Sequence, residues 1–380
     1  MAYDLMLNKI KKAWPEDRVE CSKERIKSIW NKKLPSDRIP FVFERIPDEN
    51  GINIEILEAF GYSKDVNLYF QLCQIEKRAM IEDDYIPSLY PGYRQNMIPS
   101  GFGAREIIKQ NATQYWTEPL IKKVEDISSL PEFNINKKNC TLSLLLENIK
   151  YFREETKGYL PIHLSDSQDA MANASSLMDI NDYFIVMYSN PEQVHALHRL
   201  CNNAIIQFID AQIEAAQGDY IGMNTFWFSW IPPGEGLSLS IDLLAMVSPE
   251  NVKEFVLPYL DVLADRYKGI LLHSCGNWTH NMNTIKETRG LRGIDFGVTE
   301  SSLEEAINTF GKNSIMFALH NSYVAVYPLK VQNQEDYIKT TAELIKKYNI
   351  PAVVQIFMPP EYTLKQAMEL NNLALKHFTF

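Results

Sequence analysis

With 380 residues, 46% of them hydrophobic, the chain is long enough to bury one large α/β core. A formal net charge of -10 excludes broad contact with nucleic acid or an anionic membrane, both of which need basic patches, so a small-molecule substrate or a protein partner is expected. The five cysteines (Cys21, Cys73, Cys140, Cys201, Cys275) are odd in number and scattered, which suits reduced thiols; with no signal peptide pattern and no membrane-length apolar run, a cytoplasmic protein is expected.

Residues 1–36 are charged and helical in pattern. Trp14 precedes a break at Pro15, and Ile26, Ile29, Trp30 and Leu34 are spaced for one apolar face, which predicts a helical cap on a main domain of 37–380. The run 39–45 reads as a first strand ending in Glu44 and Arg45. Helices are expected at 52–61 and 64–82, then a strand near 85–90 that leads into a Pro/Gly-rich aromatic loop. Between about 95 and 155 lies an excursion that carries Trp116 and the run Leu142 to Ile149.

Alternation then resumes, with strands at 159–165, 220–228, 269–273, 291–296, 314–320 and 352–357, and helices at 191–217, 249–267, 279–288, 302–310, 333–348 and 363–377. Counting from 39–45, that makes about eight parallel strands, which close into a single (β/α)8 barrel whose active site lies at the strand C-terminal ends.

Chemistry is expected at that rim. Gly269-Ile-Leu-Leu-His273 reads as a strand buried on both faces, and His273 and Cys275, two residues apart, can turn toward one point. Imidazole nitrogen and thiolate sulfur are donors that zinc accepts. Asp295 ends the next strand, where it orients a ligand or caps a loop. His320 and Asn321 end the one after, His320 as a third ligand or a proton donor, and Gln355 lies in the last. Glu44, Arg45 and Asp84 face the cavity from the other side. In the loop Phe226-Trp-Phe-Ser-Trp-Ile-Pro-Pro-Gly-Glu235, Trp227 and Trp230 read as a lid or wall over an apolar or planar ligand, or as packing against the excursion.

Several of these stretches carry a resemblance. Arg38-Ile-Pro-Phe-Val-Phe-Glu-Arg45, Ser248-Pro-Glu with Glu254-Phe-Val-Leu-Pro-Tyr259, His273-Ser-Cys275-Gly276 and Pro359-Pro-Glu-Tyr-Thr-Leu-Lys-Gln-Ala-Met368 resemble the uroporphyrinogen decarboxylase superfamily. The resemblance implies a distorted (β/α)8 barrel of one of two branches. In the metal-free haem-pathway decarboxylase branch two arginines grip the substrate's carboxylates; here only Arg45 matches and Glu49 stands at the second place, and Ile356 falls where a late histidine is due.

The other branch comprises zinc-holding methyltransferases that work with a corrinoid protein. His273 and Cys275 match its metal pair, whereas Ile356 or Phe357 replaces its later cysteine. On this branch the chain is expected to be a zinc-dependent methyltransferase component. It would move methyl between a small methylated compound or thiol and a corrinoid protein, with His320, Asp84 and Asp295 catalytic and Arg45, Trp227, Trp230, Asn321 and Gln355 around the substrate. The alternatives are a metal-free decarboxylase-type enzyme and a non-catalytic ligand- or corrinoid-binding barrel. A homodimer is compatible with each.

Overall fold

The computed structural model describes residues 3–44, 46, 63–92, 97–108, 115–137, 140–223, 230–321, 331–359 and 361–380. Helices α1 (Asp4–Ala13) and α2 (Glu16–Trp30) come first, separated where Pro15 caps the second. The centre is a parallel sheet in the order β1 (Phe41–Phe43), β10 (Ala352–Ile356), β9 (Met316–His320), β8 (Leu291–Gly297), β7 (Ile270–His273), β6 (Leu237–Ser240). A second parallel pair, β4 (Ile162–Leu164) and β5 (Tyr220–Met223), continues the ring. The run from Asp84 to Leu89 links the two: the Asp84 amide donates to Phe41 O at 2.8 Å, and Leu89 bridges Ile162 in parallel. The result is a TIM-type α/β barrel. In the excursion, β2 (Glu106–Ile108) and β3 (Tyr115–Thr117) form a small antiparallel pair.

Side chains sort by the strand period of two. Ile270 and Leu272, Ile294 and Phe296, Phe317 and Leu319, and Val354 and Ile356 belong to the large cluster that packs under the helices. Their neighbours Leu271, Met316, Ala318 and Val353 form a separate inner cluster with Ile86, Ile221, Trp230, Ile231 and with Ile26, Ile29 and Trp30 of α2. Because Leu271, Met316 and Val353 precede His273, His320 and Gln355 on their strands, α2 plugs the N-terminal end of the barrel. The polar side chains are left at the other end.

The ring departs from the eight expected strands. Near 85–90 the chain is extended without a regular ladder, since Pro87 lacks the amide a ladder needs. β6 is an additional parallel strand in a stretch the sequence reading leaves unassigned. The expected 249–267 helix is two, Pro249–Phe255 and Leu257–Tyr267, broken ahead of Pro258. Helix 52–61 lies outside the described residues.

Candidate functional site

The C-terminal rim is organised by β8. Its inward positions are Gly293, Asp295 and Gly297, so the carboxylate stands between two residues without side chains. A Cβ on Gly293 would lie 2.5 Å from the Met316 sulfur, and one on Gly297 would lie 3.0 Å from Glu300 Oε2 and 3.2 Å from His320 Nε2. The glycines therefore give the neighbouring strands' side chains the space to converge on Asp295.

Fully buried, Asp295 receives three donors. Its Oδ2 accepts from His273 Nδ1 at 3.0 Å; its Oδ1 accepts from His320 Nδ1 and Gln355 Nε2, each at 3.0 Å. Burial alone would raise its pKa, but His273 and His320 outweigh that and hold it below the ordinary carboxylate range. The His320 ring stacks between Phe357 and His273, at centroid distances of 5.1 and 5.6 Å.

With Nδ1 committed to Asp295, His273 directs Nε2 at the rim. There it meets Cys275 Sγ at 3.3 Å and Asp242 Oδ1 at 3.9 Å, and the three donor atoms all lie within 4.8 Å of one another. Donors around a tetrahedral zinc stand about 3.3–3.8 Å apart, so nitrogen, sulfur and oxygen here fit that ion with little movement. Asp242 is partly exposed and Cys275 exposed, which leaves a face open to a fourth ligand. His273, Asp295 and His320 form a second convergent group, deeper and buried, in which the Asp295 carboxylate accepts from both Nδ1 atoms.

The loop is pinned from behind: Cys275 N donates to Asp242 Oδ1 at 3.2 Å and Gly276 N to Glu300 Oε2 at 2.9 Å. Burial opposes a charged His273, but Cys275 and Asp295 raise it well above its ordinary value. Desolvation also raises Cys275, with His273 only partly offsetting it and Asp242 and Glu300 adding to it. Asp295 and Cys275 thus act on His273 in the sense that favours its charged form, while burial is the main cause of the rise at Cys275.

Asp242 is the functional candidate that the sequence reading misses. The signal was present, because Leu237-Ser-Leu-Ser-Ile-Asp242 alternates apolar and polar residues as a half-buried strand does. Asp166, just past β4, is the second omission. It accepts from the Ser240 hydroxyl, and burial raises its carboxyl to about 6, with Asp242 adding to the rise and Ser240, the Gln168 amide and His273 opposing it.

Of the sequence-predicted residues, the structure brings together His273, Cys275, Asp295, His320 and Gln355, and sends three elsewhere. Asp84, fully buried, is paired with Arg25 of α2 and with Arg38, both at 2.9 Å, and accepts from the Phe41 amide at 3.1 Å, at the plugged end of the barrel. Trp230 packs in the inner cluster against α2. Asn321 spans to the end of β10, accepting from Phe357 N at 2.8 Å and donating to Phe357 O at 3.2 Å. Arg45 and Trp227 lie outside the described residues.

The sequence profile described as Uroporphyrinogen decarboxylase (URO-D) matches residues 96–318, more than half of the chain. The chain belongs to the uroporphyrinogen decarboxylase family. Among solved structures, it is similar to a methyltransferase from Methanosarcina mazei, with a TM-score of 0.67 and 14% identity over 93% of this chain and 98% of that one. At that identity the likeness speaks for the fold. No curated protein matches the sequence significantly. The family match spans β4 to β8 and most of β9, and so includes Asp242, His273, Cys275 and Asp295.

Proposed function

We propose that this family member is a zinc-dependent methyltransferase component that moves a methyl group between a small methylated compound or thiol and a corrinoid carried by a partner protein. The observation that carries the reading is the convergence of Asp242, His273 and Cys275 donor atoms on one open point, with His273 fixed from behind by Asp295. The structural likeness to a methyltransferase supports it. Asp242 takes the place of the later cysteine expected of this branch, so three protein ligands are available, as catalytic zinc sites use.

Zinc bound there supplies Lewis acidity to a thiol or to the heteroatom that carries the methyl group. This chain's residues do the rest. Asp295 fixes the tautomer and ring plane of His273, which strengthens Nε2 as a ligand. Glu300 and Asp242 hold the loop that presents Cys275. His320 and Gln355, both anchored on Asp295, are buried just beneath the open face, where His320 serves as hydrogen-bond partner to the substrate. The barrel wall and the α2 plug keep water from entering from beneath.

Asp84 belongs in this scheme to the support of α2, and among the described residues no helix is long and apolar enough to cross a membrane. The test is methyl transfer from candidate donors to reduced free cobalamin, followed by the change in corrinoid absorbance. Zinc-loaded protein is expected to accelerate it, and protein with both His273 and Cys275 replaced is not. Equal rates with the two proteins would defeat the proposal.

A further inference from the structure

Asp166 extends from the end of β4 to the end of β6, where the Ser240 hydroxyl donates to Oδ2, and the Gln168 amide donates to Oδ1 at 2.9 Å. Ser240 is the register neighbour of His273, so the Asp166 carboxyl stands beside the candidate zinc corner. Among the described residues both donors are neutral. The charged groups that act most on this carboxyl are Asp242, of like sign, and His273. Enclosing a carboxylate in protein with neutral donors alone is costly, and a cation recovers much of that cost. Asp166 is only partly buried, so a ligand in the mouth can reach it.

Gln355 points the same way from a different strand. It is fully buried, level with His320, and its amide nitrogen is committed to Asp295. Its Oε1 has no hydrogen-bond partner among the described residues. A buried acceptor without a donor carries an uncompensated desolvation cost, which a ligand N–H removes. Rim and interior therefore both call for a ligand that brings donors and positive charge.

Resting on the methyl-transfer reading, we propose that the small substrate is a methylated ammonium compound, and that Asp166 is the residue that binds its charged nitrogen. Asp166 touches the substrate head and lies outside the donor set, so its loss leaves metal binding intact. Anionic substrates are disfavoured by Asp166, Asp242 and Glu300 together.

The test is calorimetric titration of the zinc-loaded full chain at neutral pH with trimethylammonium and with tert-butanol, which share three methyl groups and one donor and differ in charge. Trimethylammonium is expected to bind at least tenfold more tightly. Asp166→Asn should erase most of that preference at unchanged zinc content. Equal binding of the two probes by the unaltered protein would overturn the proposal whatever the variant does, as would a preference that survives Asp166→Asn. Zinc content measured on the same samples separates the two readings: loaded protein that ignores charge defeats only the ammonium proposal. Protein that takes up no zinc defeats the metal reading, and the probe comparison can still be made on it.

Discussion

His273 turns its Nδ1 to the Asp295 carboxylate at 3.0 Å, and this bond decides which nitrogen of the imidazole faces the rim. A carboxylate accepts and cannot donate when ionised, so Nδ1 carries the proton and Nε2 is the atom presented to Cys275 and Asp242. Asp295→Ala is expected to lower zinc affinity by about 10–100-fold through loss of that orientation. Competition with a chromophoric chelator measures it, and an unchanged affinity would show that the ring is held by other means.

Zinc uptake should depend on pH with a definite sign. His273 and Cys275 both have pKa values above their ordinary ones in the metal-free protein, and zinc must displace those protons. Apparent affinity is therefore expected to rise steadily as pH increases from about 6 to 8, with protons released on binding. Titrations in buffers of different ionisation heat count them; affinity independent of pH would contradict the assignment.

Asp166 makes the opposite contribution to stability from an ion-paired carboxylate. Its folded value of about 6 lies above the unfolded one, so its favourable contribution is complete below the ordinary carboxylate pKa and is lost as pH rises through 6. Asp166→Asn is expected to match the unaltered protein near pH 3, below both pKa values, and to exceed it at pH 8 by about 1–3 kcal/mol. Chemical denaturation at the two pH values checks this. A variant that is less stable at pH 8 would show that the Ser240 contact outweighs the charge.

Asp84 is the test of support against catalysis. Replacing it with Ala leaves Arg25 and Arg38 without their shared buried partner and is expected to cost about 3–5 kcal/mol of stability. Zinc content of the folded fraction should not change. Loss of methyl transfer at full stability would instead return Asp84 to a chemical role.

Uroporphyrinogen should not be turned over at a useful rate. Glu49 stands where a carboxylate-gripping arginine is due, and Ile356, fully buried among the outward side chains of β10, takes the place of the late histidine. Chromatography of the products decides it, with stepwise loss of acetate carboxyls as the contrary result.

Much of this arrangement was legible in the sequence because strand periodicity and strand ends report it directly. The run Ile270-Leu-Leu-His273 announced a strand buried on both faces, and the late strands β7 to β10 delivered His273, Asp295, His320 and Gln355 to one rim as their positions implied. Asp242 is hard to read from the sequence, although its strand alternates cleanly, because Leu237–Ser240 is short and no helix precedes it among the described residues 230–236, against the expected strand-helix rhythm. Asp84 and Trp230 lie toward the end of the barrel that α2 closes. Their sequence neighbourhoods say nothing about which mouth α2 closes, and only the packing of Ile26, Ile29 and Trp30 against Leu271 and Met316 does. The break of the 249–267 helix was visible as Pro258, whose missing amide ends one helix and starts another.

The measurement that bears most directly on the account is zinc stoichiometry with X-ray absorption at the zinc edge, on protein purified without chelator and on the His273→Ala, Cys275→Ser double variant. The predicted result is about one zinc per chain, with one sulfur at about 2.3 Å and nitrogen or oxygen ligands at about 2.0–2.2 Å. The double variant should be empty. Absence of zinc from the unaltered protein, or equal zinc in both proteins, would contradict a metal centre built on Asp242, His273 and Cys275.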